Sequence, residues 1–295
     1  MNELNTILNC PICDSKEFKH FLDCKDYTVS QKTFTIVECV SCGFHFTNPI
    51  PKIEDIGDYY KSESYVSHSS TNKGLINKLY QLVRKRTLKQ KVKLIQSESK
   101  GKNHLDIGAG TGHFINATSN AGFNSLGLEP DEDARSLAVK LHNANIKPLE
   151  HLFDLEHNSM DVITMWHVLE HIYNLKNDLK QIISVLKDDG VMVVAVPNMR
   201  SYDAKKYKQY WAAYDLPIHL YHFQPNDIKN LFEQYEMVID KILPMKYDSF
   251  YVSMLSEKYK GGNIISAFLT GLMSNLKADA NSYSSQIYIL RKKAK

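Results

Sequence analysis

At 295 residues, 43% of them hydrophobic, the chain has material for one substantial core plus a minor module. Its 36 Lys and Arg against 33 Asp and Glu leave a net charge of +3, which excludes a general pull toward nucleic acid or anionic lipid. The start, MNELNTILNC, lacks a secretory signal, and Gly261 to Leu276 is shorter than the roughly 20 apolar residues of a membrane span and carries Asn263, Ser266, Thr270 and Ser274, so a cytoplasmic protein with no transmembrane segment is expected.

The first chemical signal is a pair of C-x-x-C knuckles, Cys10-Pro-Ile-Cys13 and Cys39-Val-Ser-Cys42-Gly43. Such pairs supply four thiolates to one tetrahedral zinc, and four thiolates leave no open position for water, so a structural and not a catalytic metal is expected. Four of five cysteines in tight pairs suit metal ligation in a reducing compartment, and Cys24 reads as an ordinary small buried residue. Thr33 to Cys39 reads as a strand leading into the second knuckle. Pro49 and Pro51 close this zinc-ribbon-like module at about residue 55.

A helical linker follows over 56–100. It opens with Tyr59, Tyr60 and Tyr65, which either fold over a bound acceptor as a lid or pack against the sheet; Tyr65 is the candidate for a role at the acceptor. From Lys73 to about Gln96, apolar residues including Leu88, Val92 and Ile95 recur at helical spacing. Arg84-Lys85-Arg86, Lys89, Lys91 and Lys93 then read as the solvated face of a docked helix, with a phosphate-facing helix as the alternative.

At residue 103 the pattern becomes strand, glycine turn, helix, strand: NHLDIGAGTG, a helix to about Asn120, then NSLGLEP. This is the opening βαβ unit of a doubly wound α/β sheet. Gly108, Gly110 and Gly112 let the backbone pass close beneath a ligand, and Glu129 ends the second strand where a carboxylate accepts from both hydroxyls of a ribose. An adenosine-containing cofactor is implied. The spacing D-x-G-x-G-x-G puts His113 where a dinucleotide site needs its third glycine. Asp106 beside the turn would repel a pyrophosphate and favour a cationic amino group.

Together LDIGAGTGHF, GLEP and DVITMWHVLEHI resemble motifs of the class I S-adenosylmethionine-dependent methyltransferases, over residues 103 to 198. With CPIC, CVSCGF and YWAAYDLPIHLYHF, the whole chain is similar to methyltransferases that join a zinc-ribbon-like segment to this Rossmann-like domain. The resemblance implies that Gly108, Gly110 and Gly112 line the cofactor, that Asp106 lies near its methionyl end and that Glu129 holds its ribose. It also implies an adenine contact near Glu150, a residue that as a plain sequence feature reads equally as a surface acid.

The rest of the domain, taken as 101–295, alternates strand and helix. Asp161 to Met165 and Val191 to Val196 read as strands, Leu175 to Leu186 as a helix and Gln286 to Leu290 as a last strand. Asn226 or Asp227 is suited to cap a helix that starts after Gln224. In such sheets ligands lie beyond the carboxyl ends of the strands, which brings His167, Pro197 and Asn198 near the site. His167-Val-Leu-Glu170-His171 resembles the E-x-x-E-H magnesium site of the polyprenyl-quinone O-methyltransferases with a histidine in place of the first glutamate; Glu170 and His171 are expected to pack and cap beneath the strand, and His167 to lie near the cofactor.

Substrate-side insertions are expected at about 199–225 and 244–280. The first holds His219-Leu-Tyr221-His222, two imidazoles and a phenol able to supply a base near neutral pH, against the plainer reading of half-buried packing residues. In the second, Ile264, Ile265, Phe268, Leu269, Leu272, Met273 and Leu276 form an apolar stripe, expected to be the inner face of a buried helix. Cover for an acyl or polyprenyl chain, a subunit contact and a membrane surface are the other readings of that stripe. The expected activity is O- or C-methylation of a small-molecule, sugar or lipid-linked acceptor. An RNA methyltransferase is the alternative enzyme, although no N-P-P-[YFW] tetrad occurs, and a zinc-ribbon interaction protein with a vestigial cofactor domain is the alternative outside catalysis.

Overall fold

A computed structural model describes residues 4–60 and 75–293 of the chain. The N-terminal strands are β1 (Leu4–Asn5), β2 (Phe18–Lys25), β3 (Thr33–Cys39), β4 (His45–Thr47) and β5 (Ile50–Pro51). The short α1 (Gly57–Tyr60) precedes the long α2 (Leu75–Glu98), and then β6 (Asn103–Ile107), α3 (His113–Asn120), β7 (Asn124–Leu128), α4 (Glu132–His142) and β8 (Ile146–Lys147) form the predicted βαβ unit and its continuation. After β9 (Met160–Trp166) come α5 (Leu175–Val185), β10 (Leu186–Pro197), α6 (Tyr202–Tyr207), β11 (Tyr221–His222), α7 (Pro225–Glu233), β12 (Met237–Pro244), α8 (Asp248–Lys260), α9 (Ile264–Lys277) and β13 (Ser285–Lys292).

Seven strands make the central sheet in the order β12-β13-β10-β9-β6-β7-β8. The five from β10 to β8 are parallel, which takes crossover connections between them, and β13 lies antiparallel between β10 and β12. Buried on both faces, β10 reads as an unbroken apolar run, Val191 to Val196. Helix α2 lays Leu88, Val92 and Ile95 on one face, against Phe114, Phe123 and Val162.

The N-terminal sheet is ordered β11-β4-β3-β2. Its outer strand therefore comes from residues 221–222, far beyond the expected module boundary at 55, with Tyr221 opposite Phe46 and His222 opposite His45. The two cores are also continuous, since Phe44 and Phe46 pack in one cluster with Leu220, Phe223, Leu231 and Phe232.

Three expectations are corrected. Lys91 does not join the solvated face of α2: its Nζ lies 4.1 Å from the centre of the Trp166 ring. Gln224, not Asn226, caps α7, and Asp227 answers three residues on by accepting the Gln224 N–H at 2.8 Å. Helix α9 is not a buried helix with an apolar inner face. It buries Ala267, Thr270, Gly271 and Ser274, while Ile264, Ile265, Phe268, Leu269 and Leu276 are 53–69% exposed. Small residues win the inner face because α8 comes so close: a Cβ on Gly271 would lie 2.9 Å from the Cα of Phe250.

Candidate active site

Strand β6 delivers Asp106 to its carboxyl end, and a hydrogen-bonded chain beneath fixes its direction. Thr164 Oγ1 donates to Asp106 Oδ1 at 2.5 Å, so it accepts from His104 Nε2 at 2.9 Å, and His104 Nδ1 faces Ser125 Oγ at 3.2 Å. Ser125 in turn meets Thr118 of α3 at 2.8 Å. One polar thread thus ties β9, β6, β7 and α3 under the glycine turn. Burial holds His104 neutral, down to about 3, and pushes Asp106 up to about 7 against the opposing pull of Thr164 and of the Lys91 charge. A cation brought to Asp106 would restore its ionised form.

The three glycines of the turn all have positive φ, but they serve different ends. A Cβ on Gly108 would meet Val168 at 2.4 Å, and one on Gly112 would meet Ala138 at 2.7 Å, so both are required by packing. Gly110 faces open space, where its missing side chain leaves room for a ligand. Its N–H donates to Glu129 Oε2 at 2.8 Å, while Glu129 Oε1 accepts from Asp131 N–H at 3.0 Å. Burial nevertheless raises the Glu129 carboxyl above its usual range. Each oxygen retains a lone pair for a ribose hydroxyl. The donor set fits a nucleoside carrying a cationic amino acid: an acid for the diol, a buried acid for the amine and an open glycine between them. Glu150 is exposed on the 3-10 turn Leu149–Asp154 that follows β8.

His167 follows β9 with φ 58°, its Nε2 3.1 Å from Asp248 Oδ2 of α8 and its Nδ1 3.4 Å from Glu170 Oε1. Although burial opposes the charge, these two carboxylates raise His167 to about 9 and keep it cationic at neutral pH. Asn198 is spent on structure, its amide donating to Asn281 O, Tyr283 O and Gln286 Oε1.

Beside His167 lies a second cluster. Glu170, His171 and His219 bring ligand-type atoms within 4.8 Å of one another. Glu170 is fully buried, and neither of its carboxylate oxygens has a hydrogen-bond partner among the described residues. His171 Nδ1 sits 3.0 Å from Ile218 O, and His219 Nδ1 sits 2.9 Å from Ala213 O. Each carbonyl takes the Nδ1 proton and leaves the lone pair on Nε2. Burial lowers both imidazoles, His219 well below its ordinary value, so both are neutral at pH 7. The Leu220 N–H to Glu170 O bond, 2.8 Å, ties the two segments together. Such a cluster can take up a proton or hold a cation.

The other acceptor-side candidates separate. His222 lies in β11 with its Nε2 3.1 Å from Thr47 Oγ1, and burial drives it down to about 3. Tyr221 is buried against Phe44 in the same interface. Tyr59 packs edge-on against Phe34, whereas Tyr60 reaches the site, its hydroxyl 3.0 Å from His171 Nδ1. Tyr65 lies outside the described residues. Sequence reasoning missed Asp248 and Lys91. Asp248 gives no local signal, but Lys91 falls between Leu88, Val92 and Ile95 on the inner face of its helix, where a lysine is out of place.

In the N-terminal module, Cys10 and Cys42 Sγ are 3.6 Å apart, as are Cys13 and Cys39. A tetrahedral zinc with bonds of ~2.3 Å needs sulfur separations of about 3.8 Å, so the four thiols fit one. Burial would raise Cys39, but the N–H groups of Cys42 and Ser41 turned toward its sulfur bring it down to about 7. Cys24 is buried apart from this cluster.

The chain is similar to several known proteins. A family model described as a methyltransferase domain matches residues 80–241. An uncharacterized protein of Methanocaldococcus jannaschii is 35% identical over 117 residues, 38% of this chain; the chain spans 43% of that relative's length. Among solved structures, the magnesium protoporphyrin IX methyltransferase of Synechocystis with bound SAH superposes at a TM-score of 0.55 and 13% identity, covering 82% of this chain and all of that one. A SAM-dependent methyltransferase of Archaeoglobus fulgidus is 21% identical, with a TM-score of 0.49 over 71% of this chain and 94% of its own. With more than half of its length matched by the family model, on a Rossmann-like seven-stranded sheet preceded by a zinc-ribbon-like four-cysteine segment, the chain belongs to the methyltransferase-domain family.

Proposed function

We propose that the protein transfers a methyl group from S-adenosylmethionine to a hydroxyl or acidic carbon of a small-molecule, sugar or lipid-linked acceptor, and that Cys10, Cys13, Cys39 and Cys42 hold a structural zinc. The observation that carries this reading is the pairing of Glu129, fixed by the Gly110 and Asp131 N–H groups, with the buried Asp106 across an open Gly110. Glu129 accepts from the ribose hydroxyls, Asp106 balances the methionyl ammonium, and Glu150 lies on the turn where an adenine edge would pass. When bound, the cofactor supplies an electrophilic methyl group on a sulfonium.

The acceptor must be held in line and relieved of its proton. His219, neutral and with Nε2 free to accept, takes that proton, and Glu170, which faces His167 and spends neither oxygen on a hydrogen bond among the described residues, stabilises the imidazolium that results. His167, cationic between Asp248 and Glu170, orients the mouth of the site and does not act as a base. Tyr60 positions His171.

Thermal melting with S-adenosylhomocysteine tests the cofactor assignment. A hundredfold excess over the dissociation constant should stabilise the chain by about 2.7 kcal/mol. No shift, or a shift with NAD instead, overturns the reading. Incubation with labelled methyl donor and fractionated sugar-nucleotide, lipid and RNA pools assigns the acceptor, and label entering RNA alone would overturn the acceptor class.

A further inference from the structure

Helix α9 wears its apolar side outward. Its inner residues are small or polar: Ser274 donates to Asp203 Oδ1 at 2.6 Å, Thr270 Oγ1 meets Lys206 Nζ at 2.5 Å, and Gly271 lies against Phe250. Its outer residues Ile264, Ile265, Phe268, Leu269 and Leu276 are exposed, as is Met254 of the neighbouring α8. Soluble helices put these residue types the other way round, because exposed apolar area costs free energy in proportion to its extent.

Charge decides what covers such a face. The antiparallel hairpin carries exposed Lys258 and Lys260 at one end, and Lys246 and Lys277 at the other, where Asn275 Nδ2 donates to Lys246 O at 2.9 Å. Between 245 and 278 there is no exposed carboxylate. Asp248 is engaged with His167, and Glu257 is buried, accepting from Tyr207 and Ser266. Asp279, just beyond, accepts from its own turn at Asn281 and Ser282. A second copy laid along this stripe would set lysines against lysines at both ends, and Asp279, held in its own turn, is a single negative charge against the four lysines of each copy. An anionic lipid surface meets both needs, an apolar interior for the stripe and phosphates for the ends.

We infer that the α8–α9 hairpin docks the protein on an anionic bilayer surface, with the α9 stripe in the acyl boundary and the four lysines at the head groups. Helix α8 begins at Asp248, which pairs with His167, so the docked hairpin is tied at its first residue to the proposed site and holds that site close to the membrane. Resting on the proposed methyl transfer, this narrows the acceptor to a lipid-linked molecule. The hairpin lies on the surface and does not span: no described helix is long and apolar enough to cross a membrane.

Sedimentation of the full chain with phosphatidylcholine vesicles, with and without phosphatidylglycerol, tests the docking. Binding is expected only with phosphatidylglycerol, and should weaken with added salt as the lysines are screened. The double variant Ile265→Glu, Phe268→Glu, both on the exposed face, should lose at least about tenfold in vesicle affinity. It should keep its circular dichroism and its thermal response to S-adenosylhomocysteine. Absence of sedimentation with the anionic vesicles overturns the inference, as does equal binding by the variant. So does a wild-type dimer that the variant converts to monomer without any vesicle binding, which would make a second copy the occupant. A wild-type chain that binds vesicles yet shows no response to S-adenosylhomocysteine would fail the methyl-transfer reading alone.

Discussion

The proposed cofactor side of the site is drawn from one stretch of chain, and the proposed acceptor side from four. Asp106, Gly110 and Glu129 lie within 24 residues on β6, its turn and just past the end of β7, and each is fixed by short hydrogen bonds to the strands and turns around it. Glu170, His171, His219, Tyr60 and Asp248 come from distant segments, and the carboxylate at their centre faces His167 but makes no hydrogen bond among the described residues. A ligand pocket built locally can be complete on its own, whereas one assembled from afar depends on whatever holds the segments together. Here that support is the N-terminal module, through β11 and the Leu220 to Glu170 bond.

The sharpest way to break this comparison is to strip the proposed zinc. Chelation should unfold the four-cysteine module and abolish methyl transfer, while S-adenosylhomocysteine binding, followed by calorimetry, survives within a few-fold. Loss of both together would show that the two sides are not separable. Next in size, His219→Ala should lower the methyl-transfer rate by about 10²–10⁴-fold with cofactor affinity unchanged. A drop of less than threefold in a turnover assay would remove His219 from the chemistry. On the cofactor side, Glu129→Ala should weaken S-adenosylhomocysteine by roughly 30–100-fold, the loss of two hydroxyl contacts to an acid, read by titration calorimetry. Gly112→Ala should destabilise the fold by about 1–3 kcal/mol, seen as a lower denaturant midpoint, because it adds a Cβ at positive φ against Ala138.

The smallest effect is one of pH. His167 has its value raised to about 9 in the folded protein against an ordinary 6.5, so its ion pairs stabilise fully below pH 6.5 and fade as pH rises through 9. Melts of the wild type and His167→Gln should therefore differ most near pH 6 and converge by pH 9.5. A gap that stays constant would mean that the imidazole is uncharged throughout.

The same local-versus-distant divide governs what was legible. The strand Thr33–Cys39, the turn at 106–112 and the end of α3 at Asn120 are all written in short-range pattern, and the structure reproduces them. The thread from Asp106 through Thr164 and His104 to Ser125 was not, since each member looks like an ordinary strand residue until the strands lie side by side. Nor was Asp248, whose partner stands 81 residues earlier. Helix α9 misled for another reason. Its periodicity was correctly amphipathic, but periodicity says only that two faces differ, and the close approach of α8 chose the small one for the interior. For Lys91, a basic run hid one inward residue among outward neighbours.

The two residues of β11 also set the order in which the chain can be finished. Strand β4 keeps an open edge until residues 221–222 arrive, so the N-terminal segment emerges from synthesis with its sheet incomplete and waits for most of the chain before it closes. A fragment ending before residue 219 should carry that bare edge permanently and self-associate through it. Transplanting the four-cysteine segment to another protein would have to carry the strand along, as a second and non-contiguous piece.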